Sequence, residues 1–91
     1  MRDTVLSSLE AQEKEYRVND GKNLHFLVNP KGHKRWELRY KKPSTGKWTW
    51  LSLGTYPEVS GRLARQKAED ARQLLADGID PREHREEQKQ A

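Results

Sequence analysis

Hydrophobic and polar positions alternate most cleanly over residues 35–41 (RWELRYK), where Trp36, Leu38 and Tyr40 point one way and Arg35, Glu37, Arg39 and Lys41 the other. The same period of two runs through residues 24–28 (LHFLV), with Leu24, Phe26 and Val28 on one face. It continues through residues 47–53 (KWTWLSL), where Thr49, Leu51 and Leu53 alternate with Trp48, Trp50 and Ser52. Residues 16–18 (YRV) form a further short strand candidate. The turns between strands are NDGK, with Gly21 available for positive φ, and NPKGHK, with Pro30 and Gly32. Pro57 cannot donate to a central ladder, so TYPE ends the sheet.

Beyond it the spacing changes to three and four. Residues 60–77 predict the main helix, with Ser60 as N-cap and Leu63, Ala64, Lys67, Ala68, Ala71, Leu74 and Leu75 near one stripe. Gly78 stands where a helix stops in the left-handed conformation, and Ile79 can fold back on the last turn. DPRE then opens a new helix, with Asp80 as cap, Pro81 in first position and Glu83 reaching back. That second helix is polar on every side, so it packs against further protein or frays. At the other end Asp3 can cap a short helix carrying Val5, Leu6 and Leu9.

The segment 47–53 has two faces worth burying, and the loop before it chooses. Residues 42–47 (KPSTGK) suit a four-residue hairpin loop, with proline starting a type I turn and Gly46 in the left-handed position. Lys42 then pairs with Lys47, Leu38 faces Leu51, Trp36 faces Leu53, Tyr40 faces Thr49, Arg39 faces Trp50 and Lys41 faces Trp48. Trp36, Leu38, Tyr40, Leu51 and Leu53 join Leu24, Phe26 and Val28 inside, under the alanines of the helix. The other face carries Arg35, Glu37, Arg39, Lys41, Trp48, Trp50 and Ser52, with His25 and Leu27 from the neighbouring strand. A one-residue slip would reverse this and crowd the tryptophans under the helix.

Ninety-one residues make one small domain, and with 32% hydrophobic against 35% charged residues its core is thin. No cysteine is present, which excludes a disulfide frame or a zinc knuckle and fits a reducing cytoplasm. No apolar run approaches the roughly 18 residues of a membrane span, so no membrane partner is expected. The net charge of +4 is unevenly spread: residues 24–53 carry +6 and the remainder −2. Positive charge concentrated on strands suggests a polyanionic partner, though a lysine-rich sheet edge can also serve to discourage aggregation. His25, His33 and His84 lack metal spacing, no glycine loop could cradle phosphate, and no acid, base and nucleophile cluster. No enzyme, metal or cofactor is expected.

The series YRVNDGKNLHFLV, GHKRWELRY, LSLGTYPEVS and LARQKAEDARQLLADGIDP resembles the N-terminal arm-type DNA-binding domain of phage and genomic-island integrases of the tyrosine recombinase family. The resemblance covers residues 3–82 and rests on Asp20, Gly21, Trp36, Leu38, Tyr40, Leu53, Gly54, Tyr56, Pro57, Ser60, Ala64, Arg65 and Gly78 to Pro81. It implies an α+β fold: a three-stranded antiparallel sheet plus a short edge strand, packed on one C-terminal helix, similar to the plant AP2 fold. Residues 1–81 would be the DNA-binding domain and 82–91 the start of a polar linker to absent domains, which would hold the catalytic tyrosine. Three features depart from the pattern. Trp48 and Trp50 stand where basic or small polar residues are usual, the 42–47 loop is long, and Gly61 replaces an apolar residue, at up to ~1 kcal/mol for the first helical turn.

The resemblance implies that the exposed sheet face enters the major groove of double-stranded DNA at attachment-site arms. Arg35 and Arg39 are then the base-reading candidates. Lys34, Lys41, Lys42 and Lys47 suit phosphates, Trp48 and Trp50 offer apolar contact, and Ser52 and His25 can hydrogen-bond. Glu37 orients an arginine or accepts from cytosine, while Tyr56 and Arg65 read as structural. Other integrase protomers in a recombination complex are further partners, and the setting would be the bacterial cytoplasm, at the nucleoid. Two other classes stay open. A double-stranded RNA module has the same element order but uses helices and loops. A protein-interaction module would use the exposed tryptophans as hot spots.

Overall fold

A computed structural model describes residues 3–90 of the chain, without the side chains of Asp3, Thr4 and Gln90. The cap expected at Asp3 lies outside the described side chains. The elements are α1 (Asp3–Ser8), β1 (Tyr16–Gly21), β2 (Leu24–Val28), β3 (Lys34–Lys41), β4 (Trp48–Tyr56), α2 (Gly61–Ala76) and α3 (Pro81–Gln90). The strands form one antiparallel sheet in the order β1-β2-β3-β4. β1 is the expected edge strand, and it is longer than residues 16–18: all of its residues except Asp20, in a bulge, pair with β2. The sheet is therefore four-stranded.

One face is the core. Leu24, Phe26, Val28, Trp36, Leu38, Tyr40, Leu51 and Leu53 are buried there against Leu6 of α1, Val59 and the alanines of α2. The hairpin loop sets this register as its sequence predicts. Gly46 N–H donates to Lys42 O and Lys42 N–H to Lys47 O, both at 2.8 Å, and Gly46 has φ 72°. Leu38 faces Leu51, Tyr40 faces Thr49, Arg39 faces Trp50 and Lys41 faces Trp48.

The expected pairing fails at one place. Trp36 faces Gly54 rather than Leu53, because a bulge shifts the register between the Glu37–Ser52 and Trp36–Gly54 pairs. The extra residue, Leu53, changes the alternation, so that Leu51, Leu53 and, beyond it, Tyr56 all turn inward. Fully buried Trp36 packs on Phe26 at a centroid distance of 4.7 Å and donates its indole N–H to Val59 O at 2.9 Å. Gly54 makes room for this arrangement. It has φ 121°, and a Cβ there would stand 2.5 Å from Val59 Cγ2.

α2 begins at Gly61, with Ser60 Oγ accepting from Leu63 N–H at 3.2 Å. Its first turn is closed by Ala64 N–H to Ser60 O at 2.9 Å, despite the glycine. The buried stripe is Gly61, Ala64, Ala68 and Ala71, small residues that let the helix lie close on the sheet. The spacing places Leu63 on that stripe, but it is 42% exposed, because the helix turns its alanines to the sheet instead. Arg65 reaches Asp20 at 2.9 Å and ties the helix to the end of β1. Burial raises the Asp20 pKa, the Arg65 hydrogen bond and charge act against it, and the carboxyl ends below its usual range.

The C-terminus of α2 closes with Gly78 N–H to Leu75 O (3.0 Å) and Ile79 N–H to Leu74 O (2.9 Å), the paired bonds expected when Gly78 is left-handed. The Ile79 side chain stays largely exposed. α3 does have a seat, contrary to the expectation from its polar surface. Buried Asp80 caps it through Arg82 N–H (2.9 Å) and takes the Tyr40 hydroxyl at 2.7 Å. Arg82 also donates to Trp50 O on β4. Desolvation pushes Asp80 up, but the Tyr40 hydroxyl and the α3 amides bring it below its usual value. Burial and the Asp80 carboxylate push Tyr40 to about 12.

Two outcomes test this packing. Gly54→Ala should destabilise the fold by at least about 2 kcal/mol in urea unfolding, since neither the backbone angle nor Val59 accommodates a methyl group. Asp80→Ala should cost about 1–3 kcal/mol, and Tyr40→Phe in that background far less than alone, because the two groups share one bond.

Candidate nucleic-acid interface

The face opposite α2 receives the outward half of every strand. Its centre is Trp50. The Arg17 guanidinium lies 4.5 Å from the indole centroid, that of Arg39 lies 5.0 Å away, and His25 meets the ring edge-on at 5.1 Å. Arg39 is also 5.6 Å from Trp48, which is 53% exposed. Each cation–π contact is worth about 0.5–1 kcal/mol at such sites and fixes a long side chain over a flat platform. The two indoles therefore differ: Trp50 is half-covered by its neighbours, and Trp48 presents an open ring.

Glu37 organises the other two guanidiniums. It lies 3.5 Å from Arg17 and 4.0 Å from Arg35, while Arg35 also meets Glu15 at 3.2 Å. Among the described residues no carboxylate pairs with Arg39, which is held by aromatic faces alone. Leu27, also on this side, is 1% exposed, flanked in the register by Arg17 and Arg35, whose aliphatic stems can cover it.

Of the residues singled out from the sequence, His25, Arg35, Glu37, Arg39, Lys41, Trp48, Trp50 and Ser52 share this face. Lys42 and Lys47 stand at its end, where the hairpin loop begins and closes. Lys34 does not join them. It shares the side of Trp36, and its ammonium donates to Leu6 O (2.9 Å) and Ser7 O (3.2 Å) at the end of α1. Alternation alone places it there, since 34 and 36 have the same parity. Arg17 is the residue that sequence reasoning overlooked. The alternation of Tyr16 and Val18 already points it outward, but it lies outside the 24–53 segment in which the positive charge is concentrated.

The model of the arm DNA-binding domain family matches residues 1–88. The chain belongs to that family. Its relatives include prophage integrase IntA of Escherichia coli K12, 38% identical over 88 residues, covering 97% of this chain and 21% of the relative. The integrase of Enterobacteria phage P4 is 36% identical over 77 residues, 85% of this chain and 18% of that protein. The integrase of Shigella phage Sf6 is 41% identical over 76 residues, 84% and 19% respectively. This arm DNA-binding domain thus spans about a fifth of the length of the curated relatives it matches.

In this domain His25 is held below the usual imidazole value, first by burial, then by the Arg17 and Arg39 charges, with Glu37 opposing them. The folded state then binds the proton more weakly than the unfolded chain. The contribution is present above the ordinary value of 6.5 and lost as pH falls below it through the folded value. Urea unfolding from about pH 7.5 to 5.5 should show the wild-type chain losing stability, and His25→Gln losing measurably less.

Proposed function

We propose that this chain binds double-stranded DNA at arm-type attachment sites, as the N-terminal domain of a site-specific integrase, with the open sheet face in the major groove. One observation carries the choice of face: Arg39 has no carboxylate partner among the described residues and is pinned between two indoles, one of them open to solvent. A guanidinium so placed keeps its donors free and pre-oriented for the O6 and N7 acceptors of guanine. Trp48 beside it offers an apolar surface for a thymine methyl or a deoxyribose. Arg35 and Arg17 are second candidates, released from Glu37 when a base or phosphate competes. Alternatively Glu37 keeps them oriented and itself accepts from cytosine N4.

Lys41, Lys42 and Lys47 sit at the strand ends, where flexible ammonium groups meet backbone phosphates whatever the sequence. His25 and Ser52 complete the face as hydrogen-bonding groups. These residues bind and orient DNA and do no strand chemistry. Cleavage and rejoining would belong to other parts of an integrase, with residues 82–91 leading toward them and other protomers assembling on the same DNA. Such a protein works at the bacterial nucleoid.

Neutralising about three to five phosphates predicts that log K falls with log salt at a slope of about −3 to −5. Arg39→Ala should cost about 1–3 kcal/mol on the preferred site and relax sequence preference, whereas Lys42→Ala should weaken all duplexes alike. Fluorescence anisotropy with attachment-site and scrambled duplexes reads both effects, and an RNA duplex should compete poorly. Binding that ignores salt, or survives every substitution on this face unchanged, would overturn the proposal.

A further inference from the structure

β3 outruns its neighbour. Arg39 N–H donates to Asn23 O, in the β1–β2 turn, at 2.9 Å, while Tyr40 and Lys41 continue toward the hairpin loop. The step leaves a groove of about 330 Å³ at the end of the sheet. Its walls include Lys22 of the turn, Lys41 and Trp48 of the hairpin, and Arg72 and Leu75 of α2, and no carboxylate among the described residues lines it. Arg72 is fixed at the rim, donating to Lys22 O at 2.7 Å and pairing with Glu69 at 3.3 Å. Odd-numbered residues of β3 turn their amides toward β2, as Arg39 does, so the Lys41 N–H faces the groove as well.

Four cations (Lys22, Arg39, Lys41 and Arg72) and a backbone donor around a small cleft, with an indole for one wall, match a phosphate and the sugar attached to it. The position narrows the source. Arg39, Lys41 and Trp48 belong to both this groove and the open face, so a DNA strand lying along that face runs directly into the cleft. We infer that the groove seats one backbone phosphate and its deoxyribose from the strand flanking the occupied major groove, with Lys22, Lys41 and the Lys41 amide as donors and Trp48 against the sugar. The inference rests on the proposed function and adds Lys22 and the rim of α2 to the contact surface.

The test is a salt titration of a mixed-sequence DNA duplex against the wild-type chain, Lys22→Asn and Lys67→Asn, with amide NMR spectra of the wild type. Asparagine accepts the left-handed backbone of position 22, where φ is 51°, so the turn is retained. Lys67 is exposed on α2 and serves as a charge-matched control. The expected result is a salt slope shallower by about 1 for Lys22→Asn alone, so that between 50 and 200 mM salt its affinity falls by a factor about 3 smaller than for the wild type. The Lys41 amide resonance should move on adding duplex. If Lys22→Asn keeps the wild-type slope and the Lys41 amide stays put while the chain still binds DNA, the phosphate seat is wrong and the sheet-face reading stands. If the wild-type chain does not bind duplex at all, both fall.

Discussion

The indole of Trp36 needs space that no side chain on the facing strand can give. That requirement shapes the rest of the sheet. Gly54 faces it, the bulge at Leu53 brings Gly54 into register, and Val59 folds back to accept the indole N–H and to pack where a Cβ would have been. The same bulge restores Tyr56 to the core side, where it meets Phe26 edge-on at 5.5 Å. A thin core of this size cannot leave an aromatic ring half-packed, because each buried ring carries a large share of the apolar area removed from water. With the inner face fixed at Trp36, the outer face is fixed too, since neighbouring residues on a strand point to opposite sides.

The basic face is ordered by packing rather than by charge alone. Four side chains, Arg17, Arg35, Arg39 and His25, converge on Trp50 and Glu37, and Leu27 on the same face is buried. Holding guanidiniums in place before a ligand arrives lowers the ordering cost of binding. Electrostatic repulsion among Arg17, Arg35 and Arg39 is relieved by Glu37, which is mostly shielded from solvent. The carboxylate therefore has a structural duty on the same surface that the DNA would meet. Lys34 shows the reverse case: a strand lysine that charge counting assigns to the ligand is already committed to the end of α1.

The polar C-terminal helix is held by few but specific contacts. Asp80 satisfies its first amides and joins them to the Tyr40 hydroxyl, and Arg82 covers an outward carbonyl on the free edge of β4. Covering that edge also removes a template for strand pairing between chains. A helix need not have an apolar stripe to be seated when its cap is buried and shared with the core.

Much was legible in the chain itself. Strict alternation placed Trp36, Leu38 and Tyr40 against Arg35, Glu37 and Arg39. The hairpin loop with Gly46 set the register from Leu38–Leu51 to Lys41–Trp48, and Ser60, Gly78 and Asp80 marked the helix ends, because turn and cap geometries demand particular residues. Four things belonged to tertiary structure alone: the bulge at Leu53, the exposure of Leu63, the capture of Lys34 by α1 and the Tyr40–Asp80 bond that anchors α3. Each depends on groups distant in sequence competing for the same space or the same hydrogen bond. Local periodicity assigns a side chain to a face, but only the assembled layers decide what that side chain meets there.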